Sequence, residues 1–183
     1  MTSAVDSVFD IAFWFTDRAL NDDEYLQPLK LQCLLYLSQS YYAVAYDGKK
    51  LFPAVFVAEE FGPIEPSVNR AWTRGRPNFN GIPILSDDIK FFSDSIWRRF
   101  GHHSSEYLSK LCRKGPAFQA AYKRGIRAEI ILKRMIEDIN IKDNLPELQQ
   151  VVKPKIVRSS NTGRAVEVKA WSPPVLDKNK IET

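Results

Sequence analysis

Residues 28–72 read PLKLQCLLYLSQSYYAVAYDGKKLFPAVFVAEEFGPIEPSVNRAW. Pro28 suits the first turn of a helix, where its missing N–H costs nothing. From there Leu31, Leu34, Leu35, Leu37, Tyr41, Tyr42, Val44 and Ala45 cover nearly the whole circumference of a helix running to residue 46. A helix that is apolar all round belongs at the centre of a fold. Asp47-Gly48 closes it, with Gly48 suited to a left-handed terminal position. Val55, Phe56 and Val57 then form a short β-type run, expected to be extended or one arm of a small hairpin. Gly62-Pro63 and Glu65-Pro66 follow. Each proline confines the residue before it to extended conformations, which makes a stiff corner at 61–66.

Shorter amphipathic segments surround this core. Val5, Val8, Phe9, Ala12, Phe13 and Leu20 predict a helix over 4–20, capped by Thr2 or Ser3. Another short helix is expected over 67–74. Ser86 and Gly101 bracket a helix over 87–100, with Ile89, Phe92, Ile96 and Phe100 on its apolar face. Ser104 or Ser105 opens the next, Gly115-Pro116 breaks it, and Pro116 starts a further one through Tyr122. Ala128, Ile131, Leu132, Met135, Ile136 and Ile139 predict a final helix over 128–139. The expected fold is mainly α: a compact domain of about six helices over 1–145, with an extended or hairpin segment near 50–61. A basic, proline-containing extension fills 146–183.

The chain of 183 residues carries a net charge of +4. Residues 151–183 hold seven Lys/Arg and three acids, so residues 1–150 sum to zero. A neutral body argues against a dedicated phosphate-binding surface there. Ala165 to Ala170 alternates, placing Val166, Val168 and Ala170 on one face of a strand or strand-adding peptide that ends in Trp171.

Chemical motifs are sparse. Glu59 and Glu60 are neighbours, and neighbours on an extended segment point to opposite faces, so they do not converge on a substrate. His102 and His103 lack further ligands at metal spacing and read as residues of the turn after Gly101. Cys33 and Cys112 lie in apolar helical patterns, as buried thiols of a reducing compartment. Phosphate-cradling loops, nucleophile elbows and CxxC pairs are absent. The basic runs at 97–99 and 110–113 are flanked by acids, as on a solvated helix face. The sequence shows neither a secretory leader nor an apolar run long enough for a bilayer, so the expected location is cytoplasmic, with no membrane partner, no cofactor and no metal.

One resemblance narrows the function. Lys30-Leu31-Gln32 with Leu34-Leu35-Tyr36-Leu37-Ser38-Gln39 resembles the leading helix of the Panacea domain family, which includes SocA-like antitoxins and GepA-type phage-associated proteins. Gly48 with Leu51-Phe52, and then Glu60 to Val68, resemble its turn and its "E-x-x-x-G-P-V-x-P" block at matching separations. Where the family commonly carries Thr-His and Pro-Trp, this chain has Cys112-Arg113 and Pro116-Ala117-Phe118. The resemblance implies a prokaryotic or phage antitoxin, not an enzyme, that neutralises a cognate toxin by direct binding. For SocA-like members it also implies delivery to an ATP-dependent protease. Partner contact is expected from Phe56, Glu60, Phe61, Glu65 and Trp72 in the body, and from Val166, Val168 and Trp171 in the tail. The competing expectation is a nucleic-acid-binding regulator, an operon autorepressor that uses the basic tail on DNA. A homo-oligomer is compatible with either.

Overall fold

The computed structural model describes residues 3–78, 84–141 and 145–152, and the backbone of 156–158 and 165–167. Among them are eight helices and a small antiparallel sheet, a mainly helical fold. Helix α1 spans Val8–Asn21 and α2 spans Pro28–Ala45. Strands β1 (Phe56–Glu59) and β2 (Gly62–Ile64) form a hairpin that leads into α3 (Pro66–Ala71). Then come α4 (Asp87–Phe100), α5 (Ser105–Lys114), α6 (Pro116–Arg124), β3 (Glu129–Ile130), α7 (Leu132–Asn140) and α8 (Leu148–Val151).

Helix α2 is the axis. Every residue from Lys30 to Ala43 is buried, because α1, α3, α4, α5, α7, α8 and β2 all pack against it. Such a position favours internal partners for the polar groups on the helix, and most find one, the buried Tyr36 hydroxyl being an exception. Ser38 and Ser40 donate back to the carbonyls of Leu34 and Tyr36. Gln39 Oε1 accepts from the N–H groups of Leu51 (3.0 Å) and Phe52 (3.3 Å), and its Nε2 donates to the Phe52 carbonyl at 3.2 Å. Gln32 accepts from Glu65 N at 2.7 Å. Lys30 pairs with Glu24, and its ammonium sits 5.7 Å from the Trp97 ring centroid. Asp47 and Gly48, both at positive φ, turn the chain out of the helix.

Helix α4 matches its expected bounds, with Ser86 as N-cap and Gly101 as C-cap. Three expectations shift. Helix α1 begins at Val8, because Ala4 and Val5 donate to the carbonyls of Lys50 and Leu51 at 3.0 and 2.9 Å. Ser7 therefore becomes the cap, accepting from Phe9 N. The segment expected to be helical from 128 starts as a strand: Ala58 exchanges hydrogen bonds with Ala128 and Arg127, and β3 extends the sheet in the order β2-β1-β3. Ladder bonds to β1 hold Ile130 extended, where its branched side chain is at ease. The compact unit runs to Val152. Leu145 and Val151 lie in its core, and Tyr41 Oη donates to the Pro146 carbonyl at 2.7 Å.

Residues 153–183 form a separate unit. Its described part is a strand pair, β4 (Ile156–Arg158) and β5 (Ala165–Glu167), antiparallel with Val157 opposite Val166.

Candidate protein-binding surface

The two prolines and Gly62 close the β1–β2 hairpin tightly. Val57 faces Ile64, Ala58 faces Pro63 and Glu59 faces Gly62, which leaves Glu60 and Phe61 as the tip. Gly62 sits at φ +138, a conformation that side-chain-bearing residues rarely adopt. Helix α5 clamps the tip from one side. Ser109 Oγ donates to the Phe61 carbonyl, and Arg113 Nη1 donates to the Glu60 carbonyl at 3.1 Å. On the β3 side, Arg127 pairs with Glu59 at 3.1 Å. The backbone is therefore fixed while the Phe61 side chain stands 64% exposed. A large apolar side chain in water on an immobilised turn is what a binding anchor requires.

The other expected contact residues divide differently. Phe56 is buried, edge-on to Tyr36 with ring centroids 5.5 Å apart. Its place in the alternation points it at α2, so it builds the core and presents nothing. Trp72 is likewise buried, 5.1 Å from Phe13 and 6.0 Å from Phe9 between ring centroids. Glu65 is buried because it caps α3, its Oε2 accepting from Val68 N at 2.7 Å. That bond satisfies one of the orphan amides at the helix start, and it leaves Glu65 unable to meet a partner. Glu60 is exposed beside Phe61. Val166 lies in β5. Val168 and Trp171 fall outside the described residues.

Catalytic chemistry finds little here. Glu59 is tied to Arg127, and Glu60 is exposed at the tip. His102 and His103 lie in the turn after α4, as expected, with their ring centroids 4.0 Å apart. His103 also stacks on Tyr107 at 4.3 Å. Burial and the neighbouring His102, Arg99 and Lys30 push its pKa down. Among the described residues no group of three or more His, Cys, Asp or Glu is placed to hold a metal ion. Cys33 and Cys112 are free and buried, and burial pushes the Cys112 thiol well up. Among the described residues no helix is long and apolar enough to cross a membrane.

One ionisable residue escaped the sequence reading. Asp138 on α7 is buried, and both its oxygens accept from Ala117 N at 3.0 Å. It caps α6 from across the fold. Burial pushes its carboxyl up to about 6, against the lowering effect of the Ala117 bond. Gly115 makes room, since a Cβ there would lie 2.4 Å from Asp138 Oδ2. A cleft of about 420 Å³ between Pro116, Ile131, Lys133, Arg134 and Ile141 opens beside it. Glu137 lines the same cleft and adds to the upward shift, while the bonds from Ala117 N make Asp138 the cap of α6. The sequence signal was indirect: a helix begun by Gly115-Pro116 lacks a side-chain cap of its own.

Comparison with protein-family models gave no match, and neither the curated proteins nor the solved structures yielded a similar chain.

Proposed function

We propose that this protein is a non-enzymatic antitoxin that neutralises a cognate toxin by direct contact, with the β1–β2 tip as the contact. The observation that carries the reading is the pairing of an exposed Phe61 with a tip backbone bonded to Ser109 and Arg113. Burying one phenyl side chain in a partner contributes about 1.5–3 kcal/mol, and a pre-set tip loses little entropy on binding. The resemblance of residues 30–39 and 60–68 to the Panacea domain supplies the biological context. Delivery of the bound toxin to a protease is a further step of the same proposal.

Co-expression with the product of the adjoining reading frame tests it. Growth is expected to be rescued by the wild-type chain and arrested again with Phe61→Ala. Continued arrest beside soluble, full-length wild-type protein would sink the reading. A second reading, DNA binding through the tail, is favoured by the seven Lys/Arg against three acids in residues 151–183. It requires DNA retention that weakens steeply with salt and vanishes when those residues are deleted.

A further inference from the structure

The neutral sum of the body hides an uneven distribution. Residues 98–134 hold ten Lys/Arg and two carboxylates, whereas residues 1–97 hold eight and thirteen. Part of this surplus has a local cause: α4, α5 and α6 each end in a basic pair that complements the helix dipole. The dipole does not account for where three of the arginines reach. Arg113 donates to the Glu60 carbonyl, Arg124 to the Glu129 carbonyl, and Arg127 pairs with Glu59. Glu129 faces Val57 in the ladder and Arg127 N donates to the Ala58 carbonyl, so the three arginines reach the tip, β1 and β3 of one small sheet. All three are exposed. A carbonyl fixes the guanidiniums of Arg113 and Arg124 without cancelling their charge, and the remaining N–H donors of each fork stay available for a carboxylate, whereas Arg127 is already matched by Glu59.

We propose that the hairpin tip docks onto an acidic protein surface, an apolar socket for Phe61 rimmed by carboxylates, and that Arg113 and Arg124 select it. This rests on the tip being the contact surface, and it adds the chemistry of the partner. An apolar centre with a charged rim is the anatomy of a protein interface. A phosphate backbone fits less well, because it offers no apolar socket for the exposed Phe61.

The test is selection of a random-peptide display library on the immobilised full-length protein. Selected peptides are synthesised with a fluorophore and titrated by anisotropy. They are expected to carry Asp or Glu around a large apolar residue. Their affinity is expected to fall about tenfold or more with Arg113→Glu, and similarly when salt rises from about 0.05 to about 0.5 M. Arg124→Glu reverses charge without touching the bonds at Glu60 and Phe61, and serves if Arg113→Glu unfolds. Failure to select any peptide, peptides without acidic enrichment, or affinity indifferent to charge reversal would each overturn the proposal. If Phe61→Ala abolishes binding while charge reversal does not, the tip remains the contact and the acidic rim falls. If neither variant matters, both readings fall. A labelled duplex oligonucleotide is titrated in parallel; retention lost on Arg113→Glu would assign the face to phosphate and overturn the acidic-protein partner.

Discussion

Helix α2 and the β1–β2 tip come from one continuous stretch, yet they resolve opposite problems. In α2 the backbone is regular and the difficulty is polar side chains in an apolar interior, met by bonds such as those of Gln39 and Gln32. At the tip the side chains are in water and the difficulty is holding an irregular backbone still, met by Ser109 and Arg113. The residues that most clearly identify the fold are therefore the least able to touch a partner. Those able to touch one carry almost no fold information.

Substitutions in the two regions should separate cleanly. The largest effect is expected at Gln39. Replacing it with Leu strands the N–H groups of Leu51 and Phe52 and the Phe52 carbonyl inside the core. Each unsatisfied group costs about 1–3 kcal/mol, so chemical denaturation should show a loss of about 4 kcal/mol, enough to unfold a marginal domain. A loss below about 1 kcal/mol would mean that water enters α2's surroundings and the contrast with the tip is false.

Asp138 comes next, outside both regions and thus a control. Its folded pKa, about 6, lies above the ordinary 3.8. The folded state therefore holds the proton more tightly, and stability should rise as pH falls from above 6 towards 3.8 and fall again on the return. The span is at most about 3 kcal/mol. Asp138→Asn should flatten that slope in melts recorded across this pH range, and an unchanged slope would assign it to other carboxylates.

Glu65 lies at the junction between the two regions. Glu65→Ala removes the α3 cap and should cost about 1–2 kcal/mol. With the cap gone but the tip intact, partner binding should change far less than stability; equal losses would show that the corner acts as one body. Phe61→Ala is the smallest structural change. Its effect on unfolding should stay below about 0.5 kcal/mol, as for an exposed position, while partner rescue is lost. A clear drop in melting temperature would instead make Phe61 part of the fold.

What the sequence revealed follows the same division. The bounds of α4 were legible because Ser86 and Gly101 punctuate it locally, and Pro28 with Gly48 did the same for α2. Strand β3 was not legible: Ala128 and Ile131 keep helical spacing with Met135 and Ile139, and only pairing with Ala58 some seventy residues earlier draws the chain straight. At the tip, the proline-stiffened corner was legible, and Phe61 stands exposed on it. Phe56, Glu65 and Trp72 were misassigned, because proximity in sequence to an exposed turn says nothing about which way each side chain points. The arginine rim was missed for a similar reason. Summed over the body its charge vanishes, and only the folded ladder brings Arg113, Arg124 and Arg127 to the tip, β3 and β1 of one sheet.

The encirclement of α2 has a consequence for biosynthesis. Helix α2 is complete at Ala45, but α5, α7 and α8, which pack on it, end at Lys114, Asn140 and Val151. At ribosomal speeds of about 5–20 residues per second, the apolar cylinder waits about 5–20 s before its last wall is made. During that interval the nascent chain displays a sticky, all-round hydrophobic rod. Its yield in a cell should depend on holdase supply and translation rate more than on the stability of the finished protein.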